Sequence, residues 1–277
     1  MTPEPTRRTL LGGAAATGLA ALAGCSGMTP FVGQQLERTE TIAPEDADAL
    51  TVTGSVGDVS VRGGEYDAID LEIEKQSSSI RTDLEDLVLR TERTDGALEL
   101  RPEWEGSEGW FESRPSMNLD VDLPQEVALE RIGTSVGRVT VRDVTGDLAV
   151  ETSTGRIDVA GVAGAVGARA TTGRVEIRDV EVLADVSTTT GRVETDVPAI
   201  DGDTTITTST GRIEAAIDPD LDAELHVRTN TGGIDTGDLE LSDATLGDDL
   251  VTGTLGDGGP TLRLETSTGR VSLTTLA

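Results

Sequence analysis

The sequence predicts an all-β fold, a parallel β-solenoid (β-helix-like) of stacked coils of about 18–21 residues, on three observations. First, a motif of the form T-x-T-G-R-[V/I] recurs from Thr134 onward: Thr134 to Val139, Thr152 to Ile157, Ala170 to Val175, Thr188 to Val193, Thr208 to Ile213 and Thr266 to Val271. Second, apolar residues alternate around it, so that Val139, Ile157, Val175, Val193 and Ile213 share one slot and Val141, Val159 and Ile177 share another two residues on. A spacing of two keeps side chains on one face of a strand. Third, aromatics make up 2% of the chain, which suits a narrow core filled by stacked Val, Ile and Leu. A repeat of this size cannot bury its inward row alone, so it must stack on its neighbours, at about 4.8 Å per coil.

Taken in order, residues 1–24 form an export signal. Arg7 and Arg8 carry a twin-arginine pattern, Leu10 to Ala23 is an apolar run too short to span a bilayer, and Leu22-Ala23-Gly24-Cys25 has the form of a lipobox. Similarity to twin-arginine lipoproteins implies cleavage before Cys25 and lipid on its sulfur, with the protein held at the outer face of the cytoplasmic membrane. Cys25 is the sole cysteine, so disulfides within the chain and cysteine-based metal sites are excluded. Residues 25–40 have no period and read as a tether.

Residues 41–133 are expected to form irregular coils of the same solenoid. Leu50 to Val61 matches the later motif with Asp58 in the arginine slot, and Gly57 precedes Gly137 by 80 residues, the length of about four coils. Pro102 and Pro124 are expected to end strands, since proline lacks a ladder donor. From 134 to 277 the repeats are regular. The motif glycines fall at 137, 155, 173, 191 and 211, with degenerate copies placed at Gly232 and Gly253 before Gly269. Arg138, Arg156, Arg174, Arg192 and Arg212 then form an outward column, broken at Gly233 and Thr254 and resumed at Arg270. An acidic column (Asp158, Glu176, Glu194, Glu214, Asp235) runs beside it, so the arginines read as a structural ladder of ion pairs, each exposed pair contributing about 0–1 kcal/mol.

Net charge is −29, from 22 basic and 51 acidic residues, with Lys75 the one lysine. That field repels phosphates and excludes nucleic acid as a partner. An acidic, lysine-poor chain with a patterned core resembles proteins of halophilic archaea, whose surface carboxylates keep the fold hydrated.

Candidate chemistry lies where the repeat breaks. Trp104, Trp110 and Phe111 bring three of the five aromatics into one stretch, a candidate contact loop for a surface polysaccharide or a protein, or else a flap over the solenoid. Asp238, Asp243, Asp248, Asp249 and Asp257 crowd the degenerate coils, yet their spacing matches no calcium loop, and no metal is expected. The Thr-x-Thr pairs look like a flat ice-binding array, although threonine suits exposed strands generally. His226 alternates to the outside of a strand. No nucleophile elbow, phosphate loop or ligand cluster is present, so neither catalysis nor a cofactor is expected.

Leu50 to Val61, the strand Asn118 to Pro124 and the Gly-Arg-Val/Ile coils resemble the "putative adhesin" family, a β-strand-repeat domain of unknown function, from about residue 41 to the end. The resemblance implies an adhesin-like or scaffold module acting by contact. The alternatives are a β-helical enzyme acting on envelope polysaccharide and a structural spacer without a ligand.

Overall fold

The computed structural model describes residues 33–44, 47–54, 56–94, 96–106 and 115–276. Among these residues fourteen strands form one sheet: β1 (Gln34–Ile42), β2 (Ala49–Thr53), β3 (Val59–Gly64), β4 (Ile69–Ser77), β5 (Leu87–Thr94), β6 (Ala97–Trp104), β7 (Ser116–Pro124), β8 (Ala128–Thr145), β9 (Leu148–Val197), β10 (Thr204–Ile217), β11 (Ala223–Asp235), β12 (Ser242–Leu246), β13 (Leu250–Leu255) and β14 (Thr261–Thr275). The all-β expectation holds. The sheet begins at Gln34, inside the stretch expected to be a tether, because β1 pairs along its whole length with β4.

The order across the sheet is β1-β4-β7-β3-β8-β9-β10-β14-β11-β13-β12, with β2 on β6 and β8, and β5 on β6. The middle is parallel and in motif register. Gly137 pairs with Gly155, Gly211 with Gly191, Gly211 with Gly269 and Gly269 with Gly232. Strand β9 carries three motif copies, and its glycines at 155, 173 and 191 are so stacked that a Cβ on either of the last two would fall on the carbonyl oxygen of the one before. These glycines have φ near 150°, a backbone that side chains rarely adopt.

Inward rows follow the sequence pattern. Val139, Ile157, Val175, Val193, Ile213 and Val271 are fully buried, as are Ile132, Val186, Ile206, Leu264 and Val227 in the preceding row. Each such side chain contributes about 1.5–3 kcal/mol by leaving water.

Several expectations need correction. The sheet is mixed rather than parallel throughout, because β1/β4, β4/β7, β5/β6, β11/β13 and β12/β13 are antiparallel. The 80 residues between Gly57 and Gly137 do not make four coils: β3 lies directly on β8, Val59 opposite Val139, and the intervening chain folds into β4 to β7 on the far side. Gly253 is not a motif copy, since β13 runs antiparallel to β11 and sets Gly253 opposite Leu225. Pro102 does not end its strand. Strand β2 leaves β6 after Leu100, so from Arg101 onward β6 is paired on the β5 side alone, and an edge position tolerates proline.

The largest departure is the order of the last coils. Strand β14 enters between β10 and β11, so the stack does not follow the chain. Arg270 therefore sits directly beside Arg212, and the arginine column runs without a break from Arg138 to Arg270 before reaching Gly233.

Candidate functional site

Along the outward face the arginines meet carboxylates from their own coil and from the next. Arg156 reaches Asp158 at 3.5 Å and Glu176 at 2.7 Å, and Arg174 lies 3.9 Å from Glu176 and 3.8 Å from Glu194. Arg192 donates to Glu194 at 3.0 Å and Arg212 to Glu214 at 3.2 Å. Glu176 is the centre of this network, its side chain 9% exposed and also contacted by Arg178. Burial pushes the Glu194 carboxyl up, but the Arg192 hydrogen bond and the charges of Arg174 and Arg178 outweigh it and hold it below the usual carboxylate range. Arg156 and Arg174 thus bridge adjacent coils, whereas Arg192 and Arg212 pair within their own.

Trp104 is the one member of the candidate contact loop among the described residues. It closes β6 opposite Leu87, half-buried and packed on the core. Trp110 and Phe111 lie outside the described residues, as do Cys25, Arg7 and Arg8. In the acidic stretch, Asp238 accepts from the Thr275 amide of β14, and the Asp257 amide donates to Asp222. Among the described residues no group of three His, Cys, Asp or Glu side chains could hold a metal. His226 is half-buried, its Nδ1 3.3 Å from an Arg263 nitrogen. Lys75 is buried and donates to the Leu84 carbonyl; burial holds its amine below the usual lysine range against the opposing pull of Glu85.

A polar cleft of about 360 Å³ opens on the face that β9, β10, β14 and β11 present side by side. Its floor is the inward threonine column, Thr188, Thr208 and Thr266, and its walls are Thr207, Glu265 and Arg228 on one side and Ser209, Ser267 and Asn230 on the other. Each wall is one position repeated across neighbouring strands, Thr207 opposite Glu265 and Glu265 opposite Arg228. Glu265 is engaged by Arg263 at 3.0 Å, and Arg228 forms no ion pair among the described residues. Sequence reasoning missed this site because Glu265 and Ser267 come between residues of β10 and β11 only through the insertion of β14. The repeat positions themselves could have located the columns; the order of the coils could not be read from them.

The Toastrack DUF4097 family matches residues 113–274, more than half of the chain. The chain belongs to this family. The Toastrack match takes in β7 to β14, hence the cleft and every motif coil from Gly137 on, and leaves β1 to β6 outside it. No curated protein matches the chain. Among solved structures it is similar to a "putative adhesin" from Bacteroides fragilis (14% identity, 88% of this chain and 97% of that one, TM-score 0.48). It is similar also to a "putative cell adhesion protein" from Clostridium sporogenes (10% identity, 88% and 100%, TM-score 0.37). A third similar structure is a "putative lipid binding protein" from Parabacteroides distasonis (13% identity, 86% and 96%, TM-score 0.33). Among the described residues no helix is long and apolar enough to cross a membrane.

Proposed function

We propose that this Toastrack protein is a contact module of the cell surface, adhesin-like or scaffolding, that performs no catalysis. In this reading its parallel coils form a β-solenoid, the twin arginines Arg7 and Arg8 direct export, and lipid on Cys25 holds the chain at the outer face of the membrane. The acidic surface is an adaptation to high salt, where exposed ion pairs are screened and packing holds the fold.

The observation that carries the reading is the use made of the charged columns. From Arg156 to Arg212 the outward arginines are engaged by carboxylates of the same or the next coil, which is the surface of a rigid spacer rather than of a catalytic groove.

The test is a deletion strain, complemented with the full chain and with variants. Loss of attachment or of biofilm formation on deletion, restored by the full chain, is the expected result, and attachment that does not depend on the chain would overturn the reading. Cys25→Ser should move the protein from the membrane fraction to the medium. Trp110→Ala with Phe111→Ala should weaken attachment if that loop carries the contact.

A further inference from the structure

We infer that the cleft over Thr188, Thr208 and Thr266 binds a segment of neutral glycan. The inference deepens the contact reading above by naming the class of partner that the surface recognises.

Four adjacent strands build the cleft, and its direction is that of the stack. A ligand lying in it would therefore cross several coils, as a linear chain can. Its volume of about 360 Å³ is at the lower end of the range for ligand sites, about 300–1,000 Å³, and leaves room for roughly one or two sugar rings.

The lining sets the chemistry. Arg228 offers donors only, the Glu265 carboxylate accepts, and Asn230, Thr207, Ser209 and Ser267 do both. An array of donors and acceptors at neighbouring positions matches vicinal hydroxyls, each of which donates once and accepts. An apolar ligand finds only threonine methyl groups to cover. An anionic ligand would meet Arg228, but also Glu265 and the field of a chain with net charge −29. A neutral polyol meets none of these penalties.

Thr188, Thr208 and Thr266 are 5%, 3% and 4% exposed, and their hydroxyl oxygens are buried with no hydrogen-bond partner among the described residues, so recognition falls to the walls. Thr229, in the next strand, instead donates to the Gly269 carbonyl at 3.2 Å. Thr152 is unpartnered too, away from the cleft, so the threonine column alone does not define the site. What singles out this stretch is that β14 brings Glu265 and Ser267 between the residues of β10 and the Arg228 and Asn230 of β11. Arg228 and Glu265, of opposite hydrogen-bonding character, then stand side by side on one wall, across from the hydroxyls of Ser209 and Ser267 on the other.

The experiment titrates the purified full chain, in its native salt, with neutral gluco-, manno- and galacto-oligosaccharides and with oligo-uronates, read by calorimetry and by amide chemical shifts. Saturable binding of at least one neutral series is expected, with shifts at Ser209, Asn230 and Ser267. Arg228→Ala and Asn230→Ala should each weaken it at least tenfold, whereas Arg138→Ala, several coils away, should leave it within twofold. Both cleft residues are exposed, and matching thermal melts establish that the variants fold. Glu265→Gln keeps the shape of the wall and should weaken binding severalfold. No saturable binding of any neutral series, binding unaffected by both alanine variants, or tighter binding of the uronates would each overturn the inference. Cleft variants that fail to bind glycan in solution but still attach on cells would sink the cleft as the contact and leave the contact reading standing. A chain that binds glycan but is dispensable for attachment does the reverse.

Discussion

The middle of the stack and its two ends use the same backbone differently. Between Gly137 and Gly269 successive coils are parallel, in register and nearly interchangeable. At one end β4 and β1 turn antiparallel, and at the other β13 and β12 do so. A stack of identical coils would leave an open ladder at each end, a template for further chains. Here the outermost strands are poor templates: β1 carries Glu37, Arg38 and Glu40, and β12 is five residues long with every side chain exposed. The comparison teaches that the motif specifies how coils join, and that the departures from it specify where joining stops.

That division can be broken most severely at the corner glycines. A Cβ on Gly173, whose φ is 152°, would fall on the Gly155 carbonyl oxygen, and backbone cannot move aside without shifting a whole coil. Gly173→Ala should cost more than about 4 kcal/mol, in the exceptional range for one substitution, and separate the coils on either side. Gly233, by contrast, has nothing within 4 Å of its added Cβ and an ordinary φ; Gly233→Ala should stay within about 0.5 kcal/mol. Urea denaturation of the two variants decides the point, and equal midpoints would show that the glycine column does not set the coil spacing.

A smaller effect separates the inner ladder from the edge. Glu176 sits among Arg156, Arg174 and Arg178 with little exposure, so Glu176→Gln removes a carboxylate that three cations share and should cost about 1–3 kcal/mol. At the edge, Arg38 and Glu40 lie 3.7 Å apart and are well exposed, and Glu40→Gln should change stability by no more than about 0.5 kcal/mol. Repeating both titrations in high salt sharpens the contrast, since screening acts on the exposed pair first.

Much of the inner architecture was legible because a period of two fixes which face a residue takes and a motif period fixes which residues stack. Val139 to Val271 and the arginines beside them follow from those two counts. The order of stacking was not legible. Nothing local in Thr266 to Val271 distinguishes a coil added at the end from one inserted between two others, since its motif fits either neighbour equally well. Gly253 misled for the related reason that a glycine after threonine also occurs in an antiparallel hairpin. The stretch from Ile69 to Leu123 shows strand alternation but no motif, so its strands were visible while their direction was not. The cleft inherits this limit, because its walls join residues of β10, β14 and β11 whose adjacency depends on the insertion.

The smallest expected effect lies inside one coil, where two carboxyls two residues apart respond to pH with opposite sign. Arg192, Arg174 and Arg178 outweigh burial at Glu194 and lower its folded value, so its contribution to stability is present above the ordinary carboxylate range, about 4.3, and is lost as pH falls through the folded value. Asp196 has the reverse balance: burial, joined by the Asp179 charge, raises it, against the Asp179 amide that donates to it at 3.2 Å and the charge of Arg178. A raised carboxyl penalises the folded state at neutral pH, and the penalty disappears below its unfolded value. Asp196→Asn keeps an oxygen for the Asp179 amide and should stabilise the chain at pH 7, by less than about 0.5 kcal/mol once solvent screening is allowed for. The gain should vanish near pH 3.5. Glu194→Gln should destabilise at pH 7, and its difference from the parent should shrink over the same interval. Urea midpoints for both variants at the two pH values test the signs, and a gain for Asp196→Asn that persists at pH 3.5 would assign it to packing rather than to charge.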